Sequence, residues 1–94
     1  MITHIVLFKL KTPEEIKNVR EMLLGLKDTV PVIRHLEAGI DVLRSHRSYD
    51  IALSVKFDSL SDLEAYQVHP EHVKVAEYIA KVRDSVVVVD YESA

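Results

Sequence analysis

The clearest pattern in the chain is the alternation of side chains near its N-terminus, in ITHIVLFKLK (residues 2–11). Alternation with a period of two is typical of a β-strand, and apolar residues on both sides indicate a strand that is covered on both faces. The run SVVVVDYE (residues 85–92) is β-branched through its centre and predicts a second strand of this kind. One side of the first strand carries Ile2, His4, Val6, Phe8 and Leu10, and the other carries Thr3, Ile5, Leu7 and Lys9.

The first strand is followed by a helix signal, the sequence TPEE (residues 12–15). It predicts Thr12 as the N-cap, Pro13 at the first helical position and Glu15 as the partner in a capping box. Pro31 marks the end of this helix. Apolar residues recur at spacings of three and four along it, as expected for a face that packs on a sheet: Ile16, Val19, Leu23, Leu26 and Val30.

The middle of the chain predicts two strands and a broken helix. Residues 36–47 are a weaker strand candidate that Gly39 interrupts, and residues 49–57 alternate clearly. Ser59 and Asp62 form a cap pair for a short helix, which ends at Pro70 where another helix begins. The order β-α-β-β-α-β is the split β-α-β arrangement of the ferredoxin-like fold, in one α+β domain that spans residues 1–94.

The two apolar faces of the outer strands also predict a partner. Two helical segments cover only one face of a four-stranded sheet, and a large uncovered apolar face is rare on a monomer. We therefore expect a homodimer in which a second copy packs sheet against sheet. The main contacts are expected from Ile5, Leu7, Val87 and Val89.

Composition excludes several classes of function. The chain has no cysteine, which excludes a disulfide framework, a thiolate nucleophile and a cysteine-ligated zinc site. Its net charge of −3 argues against nucleic acid, and its two glycines form no phosphate-binding loop. With no membrane-spanning run and no signal-peptide pattern, we expect a cytoplasmic protein with no membrane partner and no cofactor.

The segment YQVHPEHV (residues 66–73) holds the candidate chemistry. A helical wheel for residues 70–83 places His72 near the middle of an apolar arc, so its ring should point toward the sheet. His69 precedes the proline at the N-cap position, and Tyr66 meets His72 only if the chain folds sharply at Pro70. The same arc holds Val73, Val75, Ala76, Ile79, Ala80, Val82 and, at the helix end, Arg83.

Three interpretations of these residues are open. His69 and His72 have a spacing that suits zinc, but no third ligand has a fixed spacing, so we predict no metal site. His72 is otherwise a core histidine bonded to a backbone carbonyl or to Tyr66, or it is a general base in a pocket, where burial lowers its pKa. His4 lies on the strand side of Val6 and Phe8, and faces the same space if the helices cover that side. His35 and His46 are expected to be solvated.

The segments HIVLFKLK, SYDIALSVKFDSLSDLEAYQVHPEHV and VVVVDYE resemble the stress-responsive A/B barrel (Dabb, dimeric α+β barrel) family over essentially the whole chain. The most specific part is the aromatic-x-x-HPxH segment. The resemblance implies a ferredoxin-like protomer and a homodimer whose two sheets form a barrel. The family includes plant polyketide cyclases that close a linear polyketide by an aldol reaction. By resemblance, His72 is the base, Tyr66 assists it and His4 lies near the pocket.

The chain also departs from those cyclases. Their third-strand histidine falls at Ile51, and aromatic residues of their first helix fall at Val19, Arg20 and Leu23. The plant substrate is therefore not carried over.

Two functions remain open. One is a cyclase- or lyase-type enzyme acting next to a carbonyl of a small hydrophobic ligand, with His72 as base and Tyr66 as proton donor or oxyanion partner. The other is a non-catalytic dimeric module that binds a hydrophobic ligand or resists stress. A connected cavity that reaches both residues favours the enzyme, and solid packing favours the module. The expected pocket wall is Val6, Phe8, Leu23, Ile51, Leu53, Val86 and Val88.

Overall fold

A computed structural model describes residues 1–93 of the chain. These residues form the predicted β-α-β-β-α-β order, with four antiparallel strands in the order β2-β3-β1-β4 and three helices. The ferredoxin-like fold is thereby confirmed, with β1 in the centre of the sheet and β4 at its edge. The elements are β1 (Ile2–Leu10), α1 (Glu15–Thr29), β2 (His35–Ile40), β3 (Ile51–Phe57), α2 (Leu60–Val68), α3 (Pro70–Val82) and β4 (Arg83–Glu92).

The helices lie on one face of the sheet, and the hydrophobic core lies between the helices and that face. His4 pairs with Val55 on β3 and with Asp90 on β4, so these three side chains share the helix-covered face. The predicted stripe of α1 is buried against this face or packs beside it. The most buried members of the core are Val19, Leu23, Leu26, Val30, Ile51, Leu53, Val55, Phe57 and Tyr66.

The opposite face of the sheet, which we call the open face, is apolar at β1 and β4. Ile5 pairs with Val89 and Leu7 pairs with Val87, and these four side chains point away from the helices. Val87 is 46% exposed and Val89 is 58% exposed, whereas the two β1 residues are half-buried. The uncovered face expected from the sequence is therefore present in the protomer.

The start of α1 differs from the prediction. The helix begins at Glu15 with Glu14 at its N-cap, and no side chain caps it. The predicted capping box at Thr12 is therefore wrong, because the backbone around Thr12 forms a tight turn before the helix. The Glu15 carboxylate instead accepts hydrogen bonds from the Tyr78 hydroxyl of α3 at 2.7 Å and from the Asn18 amide at 3.1 Å. The Glu15 carboxylate therefore links α1 to α3 instead of capping α1.

The predicted strand at residues 36–47 is also shorter than expected. β2 runs through Gly39, which pairs with Ala52, and ends at Ile40. β3 begins at Ile51 rather than at Tyr49. The residues between β2 and β3 form a loop, residues 41–50, and they were predicted in part as strand.

A buried carboxylate holds this loop. Asp50 is 6% exposed, and its two oxygens accept hydrogen bonds from the Leu10 N–H and the Arg44 guanidinium, each at 2.7 Å. Burial alone would raise the pKa of Asp50, but the Leu10 N–H and Arg44 together outweigh it and hold that pKa below its ordinary value. Asp50 therefore acts as a structural anchor for the loop.

The junction of α2 and α3 follows the sequence prediction. The Ser59 hydroxyl accepts from the Asp62 N–H at 3.2 Å and caps α2, and Pro70 is the first residue of α3. His69 separates the two helices, and its ring Nδ1 accepts from the Glu71 N–H at 3.1 Å. Because proline cannot continue a helix from the preceding turn, the chain changes direction here.

Candidate active site

A cavity of about 490 Å³ lies between the helix-covered face of the sheet and the three helices. Its wall is mostly apolar, with four polar side chains. Ala76, Ala80 and Arg83 in this wall are exposed, so the cavity opens to solvent along α3 and the start of β4. The lining residues are His4, Val6, Phe8, Leu23, Leu53, Tyr66, His72, Val75, Ala76, Ile79, Ala80, Arg83 and Val86.

The bend between α2 and α3 brings Tyr66 and His72 together. His69 has extended backbone, with φ −63° and ψ 134°, and this folds the start of α3 back over the end of α2. The ring centroids of Tyr66 and His72 are 4.3 Å apart, with an angle of 48° between the planes. The sequence predicted that Tyr66 and His72 meet only if the chain bends at Pro70, and the structure shows both the bend and the contact.

The hydrogen bond of His72 assigns its ring protons. Its Nδ1 lies 3.0 Å from the Gln67 carbonyl oxygen, and a carbonyl oxygen only accepts, so Nδ1 carries the hydrogen. Burial lowers the pKa of His72, and repulsion from His4 and His69 lowers it further, against the opposing effect of the Gln67 hydrogen bond. The ring is therefore neutral at pH 7, and its Nε2 is an unprotonated base.

Tyr66 offers a hydroxyl that stays protonated. The residue is 1% exposed, and burial raises its pKa above the ordinary value. Its ring packs against Phe57, with centroids 5.0 Å apart, and meets His4 edge-on at 5.9 Å. Among residues 1–93, every fully buried N or O atom of a side chain has a hydrogen-bond partner. The Tyr66 hydroxyl, which has no partner within that range, therefore reaches the space of the cavity as a free donor.

His4 is held by a carboxylate. Its Nδ1 is hydrogen-bonded to the carboxylate of Asp90, which lies directly opposite it on β4. An ionised carboxylate only accepts, so Nδ1 carries the hydrogen and the ring orientation is fixed. Asp90 was not among the sequence candidates. The antiparallel pairing of β1 with β4 was the signal that could have found it, since it places one β4 residue opposite His4.

The structure brings most of the sequence candidates together. His4, Tyr66 and His72 line the one cavity. Five of the predicted wall residues line it with them: Val6, Phe8, Leu23, Leu53 and Val86.

Two predicted wall residues lie outside the cavity. Ile51 is 2% exposed and packed in the core, next to the separate pocket of the loop at residues 41–50. Val88 is on the correct face but is 55% exposed, on the edge strand beyond Val86. Neither residue lines the cavity, because Ile51 lies beside Phe8 on β3 and Val88 lies beside Val6 on the edge strand, to either side of the β1 residues that do.

One group of lining residues was not among the wall residues expected from the sequence. These residues come from α3 and its junction with β4, and they lie on the wheel arc that already held His72, which was a usable signal. They are Val75, Ala76, Ile79, Ala80 and Arg83.

Within residues 1–93 the structure gathers no three His, Cys, Asp or Glu side chains in an arrangement that could hold a metal ion. In the same range no helix is long and apolar enough to cross a membrane. His35 and His46 are exposed, as expected.

Comparison with known proteins identifies a family. The model of the stress responsive A/B barrel domain matches residues 2–93. Stress-response A/B barrel domain-containing protein DABB1 of Arabidopsis thaliana is 30% identical, over 97% of this chain and 46% of its own length. The chain thus spans less than half of that relative.

Solved structures share the fold. A dimeric protein of unknown function with a ferredoxin-like fold from Bacteroides fragilis is 35% identical, with a TM-score of 0.87, covering 98% of this chain and 95% of that one. A hydroxynitrile lyase from Passiflora edulis has a TM-score of 0.83 and 18% identity, covering 96% and 90% of the two chains. The second likeness shows the fold alone.

Proposed function

The chain belongs to the stress responsive A/B barrel domain family, and from this premise we propose that its cavity binds a small, mostly apolar carbonyl compound and transfers a proton next to the carbonyl. One observation carries the proposal. An unprotonated His72 nitrogen and a protonated Tyr66 hydroxyl belong to rings 4.3 Å apart in the wall of one cavity. A base and a hydrogen-bond donor side by side are what enolate formation requires.

In the proposed step, Nε2 of His72 takes a proton from the carbon next to the substrate carbonyl. The electron pair of that C–H bond forms a C=C bond to the carbonyl carbon, and the π pair of the carbonyl moves to its oxygen, which becomes an enolate oxygen. The Tyr66 hydroxyl donates a hydrogen bond to this oxygen without giving up its proton, since burial raises its pKa. The same hydrogen bond stabilises the enolate more than the ketone, which is how it lowers the barrier.

The enolate then determines the reaction class. If its carbon adds to a second carbonyl of the same molecule, a C–C bond forms and the proton on His72 passes to the new alkoxide oxygen, as in a cyclase. The reverse sequence breaks a C–C bond, as in a lyase. The Passiflora edulis enzyme supports only the shared fold, so its reaction is not carried over to this chain.

His4 has a positioning role in this proposal. Its Nδ1 is committed to Asp90 and its edge meets the Tyr66 ring, so it helps to hold that ring at the cavity. Substrate contacts from the apolar wall orient the carbonyl. Val6, Phe8 and Leu53 supply this wall from the sheet.

We further propose that two copies of the chain pair through the open face. The structure from Bacteroides fragilis is described as dimeric, which supports this assembly. Val87 and Val89 are exposed in the protomer and need a cover. A stable pairing of this kind buries at least about 1,200 Å² in total.

A cytoplasmic location stays a prediction, which fractionation of the source cells would test.

A specific observation favours a second candidate function, a non-catalytic binding module. Ala76, Ala80 and Arg83 leave the cavity open to water. Water weakens the electrostatic effect of a donor such as Tyr66 on an enolate. The module reading therefore predicts binding of the same compounds without proton transfer.

Deuterium exchange separates the two functions. A panel of neutral ketones and β-diketones is incubated with the protein in deuterated buffer, and loss of the proton next to the carbonyl is followed by NMR. We expect exchange above the buffer rate for the wild type and the buffer rate for His72→Gln, which keeps a donor for the Gln67 carbonyl but has no base. His46→Gln, an exposed loop substitution, is the matched control and should keep the wild-type rate. Binding without exchange in the wild type would leave only the module.

A further inference from the structure

One cationic side chain, Arg83, lies in the cavity wall and has no role in the proposed proton transfer. Arg83 is the first residue of β4, directly after the last residue of α3, and its side chain lines the same cavity as His72 and Tyr66. Among residues 1–93, no carboxylate lines this cavity. Asp84, the next residue of β4, forms no ion pair with Arg83 within residues 1–93, and Asp90 lies at the other end of β4, where it is bonded to His4.

Arg83 has no partner within residues 1–93. The ion pairs found there involve other residues, and no hydrogen bond from its guanidinium is present in that range. A cation at a helix end often bonds the last carbonyls of the helix. Here Lys11 does so, because its backbone N–H donates to the Val82 carbonyl at 2.9 Å and its Nζ donates to the Lys81 carbonyl at 3.3 Å. The guanidinium is thus left available at the mouth of the cavity.

The surroundings of Arg83 indicate the chemistry of what it binds. Ala76, Ile79, Ala80 and Val86 make the adjoining wall apolar. An arginine fork matches the two oxygens of a carboxylate and holds them with two parallel hydrogen bonds. An apolar space with one such fork at its opening suits an amphipathic anion whose charged end stays near water.

We propose that Arg83 binds the carboxylate of the ligand, so that the cavity takes a keto acid whose apolar body lies against α3 and whose carbonyl faces Tyr66 and His72. This inference rests on the proposed function and narrows its substrate class. Because Arg83 is exposed, water screens the pair, and we expect its contribution to be moderate. We expect the acid to bind with a Kd about five- to tenfold lower than that of its uncharged analogue. A factor of ten in Kd corresponds to about 1.4 kcal/mol.

The test measures binding of the keto acid benzoylpropanoate and of its neutral amide by calorimetry at low salt. The full chain is used in three forms: the wild type, Arg83→Gln and Arg47→Gln. Arg47 is an exposed loop residue outside the cavity, so Arg47→Gln changes the net charge equally and is the matched control. Wild type and Arg47→Gln should prefer the acid, and Arg83→Gln should bind both compounds equally. A thermal melt of each variant checks folding.

A second measurement needs no variant. Raising the salt concentration to about 0.5 M shortens the screening length and should weaken acid binding by the wild type while leaving amide binding unchanged. Equal binding of acid and amide by the wild type, or an acid preference that survives Arg83→Gln, overturns the role of Arg83. Amide binding in that case leaves the proposed function intact. Binding of neither compound overturns the inference too, and the deuterium exchange of neutral ketones then decides the proposed function by itself.

Discussion

Replacing His72 with alanine should impair the site far more than the fold. The change removes two interactions, the ring contact with Tyr66 and the hydrogen bond to the Gln67 carbonyl. An aromatic pair and a net hydrogen bond each contribute about 0.5–1.5 kcal/mol. His72 is only half-buried and Gln67 is exposed, so water can replace the lost partner. The cavity already exists, and truncation enlarges it without creating a sealed void. We expect a loss of about 1 kcal/mol in the free energy of unfolding.

Phe57→Ala provides the matched comparison. Phe57 also packs against the Tyr66 ring and is 0% exposed, so its removal creates a closed void. Such a change costs about 3–5 kcal/mol. For a domain of this size each kcal/mol shifts the Tm by about 4–8 °C. Thermal melts at one protomer concentration should therefore show a fall of about 4–8 °C for His72→Ala and at least twice that for Phe57→Ala.

The same His72→Ala protein is then assayed for exchange of the proton next to a carbonyl. We expect its exchange rate to fall to that of buffer while most of the molecules remain folded at 25 °C. If His72→Ala melts as early as Phe57→Ala and its folded fraction still exchanges protons like the wild type, His72 is a core residue and the proposed chemistry is wrong.

Four further predictions follow from the same structure. Tyr66→Phe should change the free energy of unfolding by no more than about 0.5 kcal/mol, because its hydroxyl has no partner within residues 1–93, but should slow proton exchange by about 10²-fold or more; equal exchange rates would exclude the hydroxyl. Val87→Glu should yield aggregate or unfolded protein in sedimentation, since it puts an unpaired charge on the open face, whereas a stable folded monomer would contradict pairing through that face. Chelator should leave the Tm unchanged, and a large fall would reveal a structural metal. The pKa of His72 in the folded protein lies below 6.5, so the unfolded chain takes up a proton first as the pH falls. The contribution of His72 to stability is therefore complete above pH 6.5 and is lost as the pH falls through the folded pKa. Denaturation of His72→Gln should lack that part of the acid sensitivity, and identical pH profiles would show that His72 is not buried as described.

The strands and most helix boundaries could be predicted because they depend on local pattern. The alternation around Phe8 and the Ser59 cap are decided within a few residues of sequence. The capping box at Thr12 was wrong because a tight turn delays the start of the helix to Glu15, whose carboxylate is bound by Tyr78, a residue distant in sequence. The length of β2 was wrong for a similar reason, since the buried Asp50 anchors the following loop through contacts with β1 that no local pattern reveals.

The site was predictable in direction but not in extent. A helical wheel indicates which way the His72 ring points, and the proline accounts for its meeting with Tyr66. The alternation of a strand does not indicate how far a cavity extends across the sheet, which is why Ile51 and Val88 were assigned to a wall that they do not line. Asp90 was missed because its role depends on strand register, which only the paired sheet defines.

The central claim is that a neutral His72 offers its Nε2 to a ligand in the cavity, and nitrogen NMR of the histidine rings tests it most directly. Spectra of uniformly labelled protein at pH 7 are recorded with and without a saturating neutral ketone, with His72→Gln used to assign the ring signals. We predict that Nδ1 of His72 is protonated and Nε2 is not, that the ring titrates below pH 6.5, and that the Nε2 signal shifts when the ketone binds. A protonated Nε2 at pH 7, or an Nε2 signal that does not change when the ketone is bound, would contradict the account.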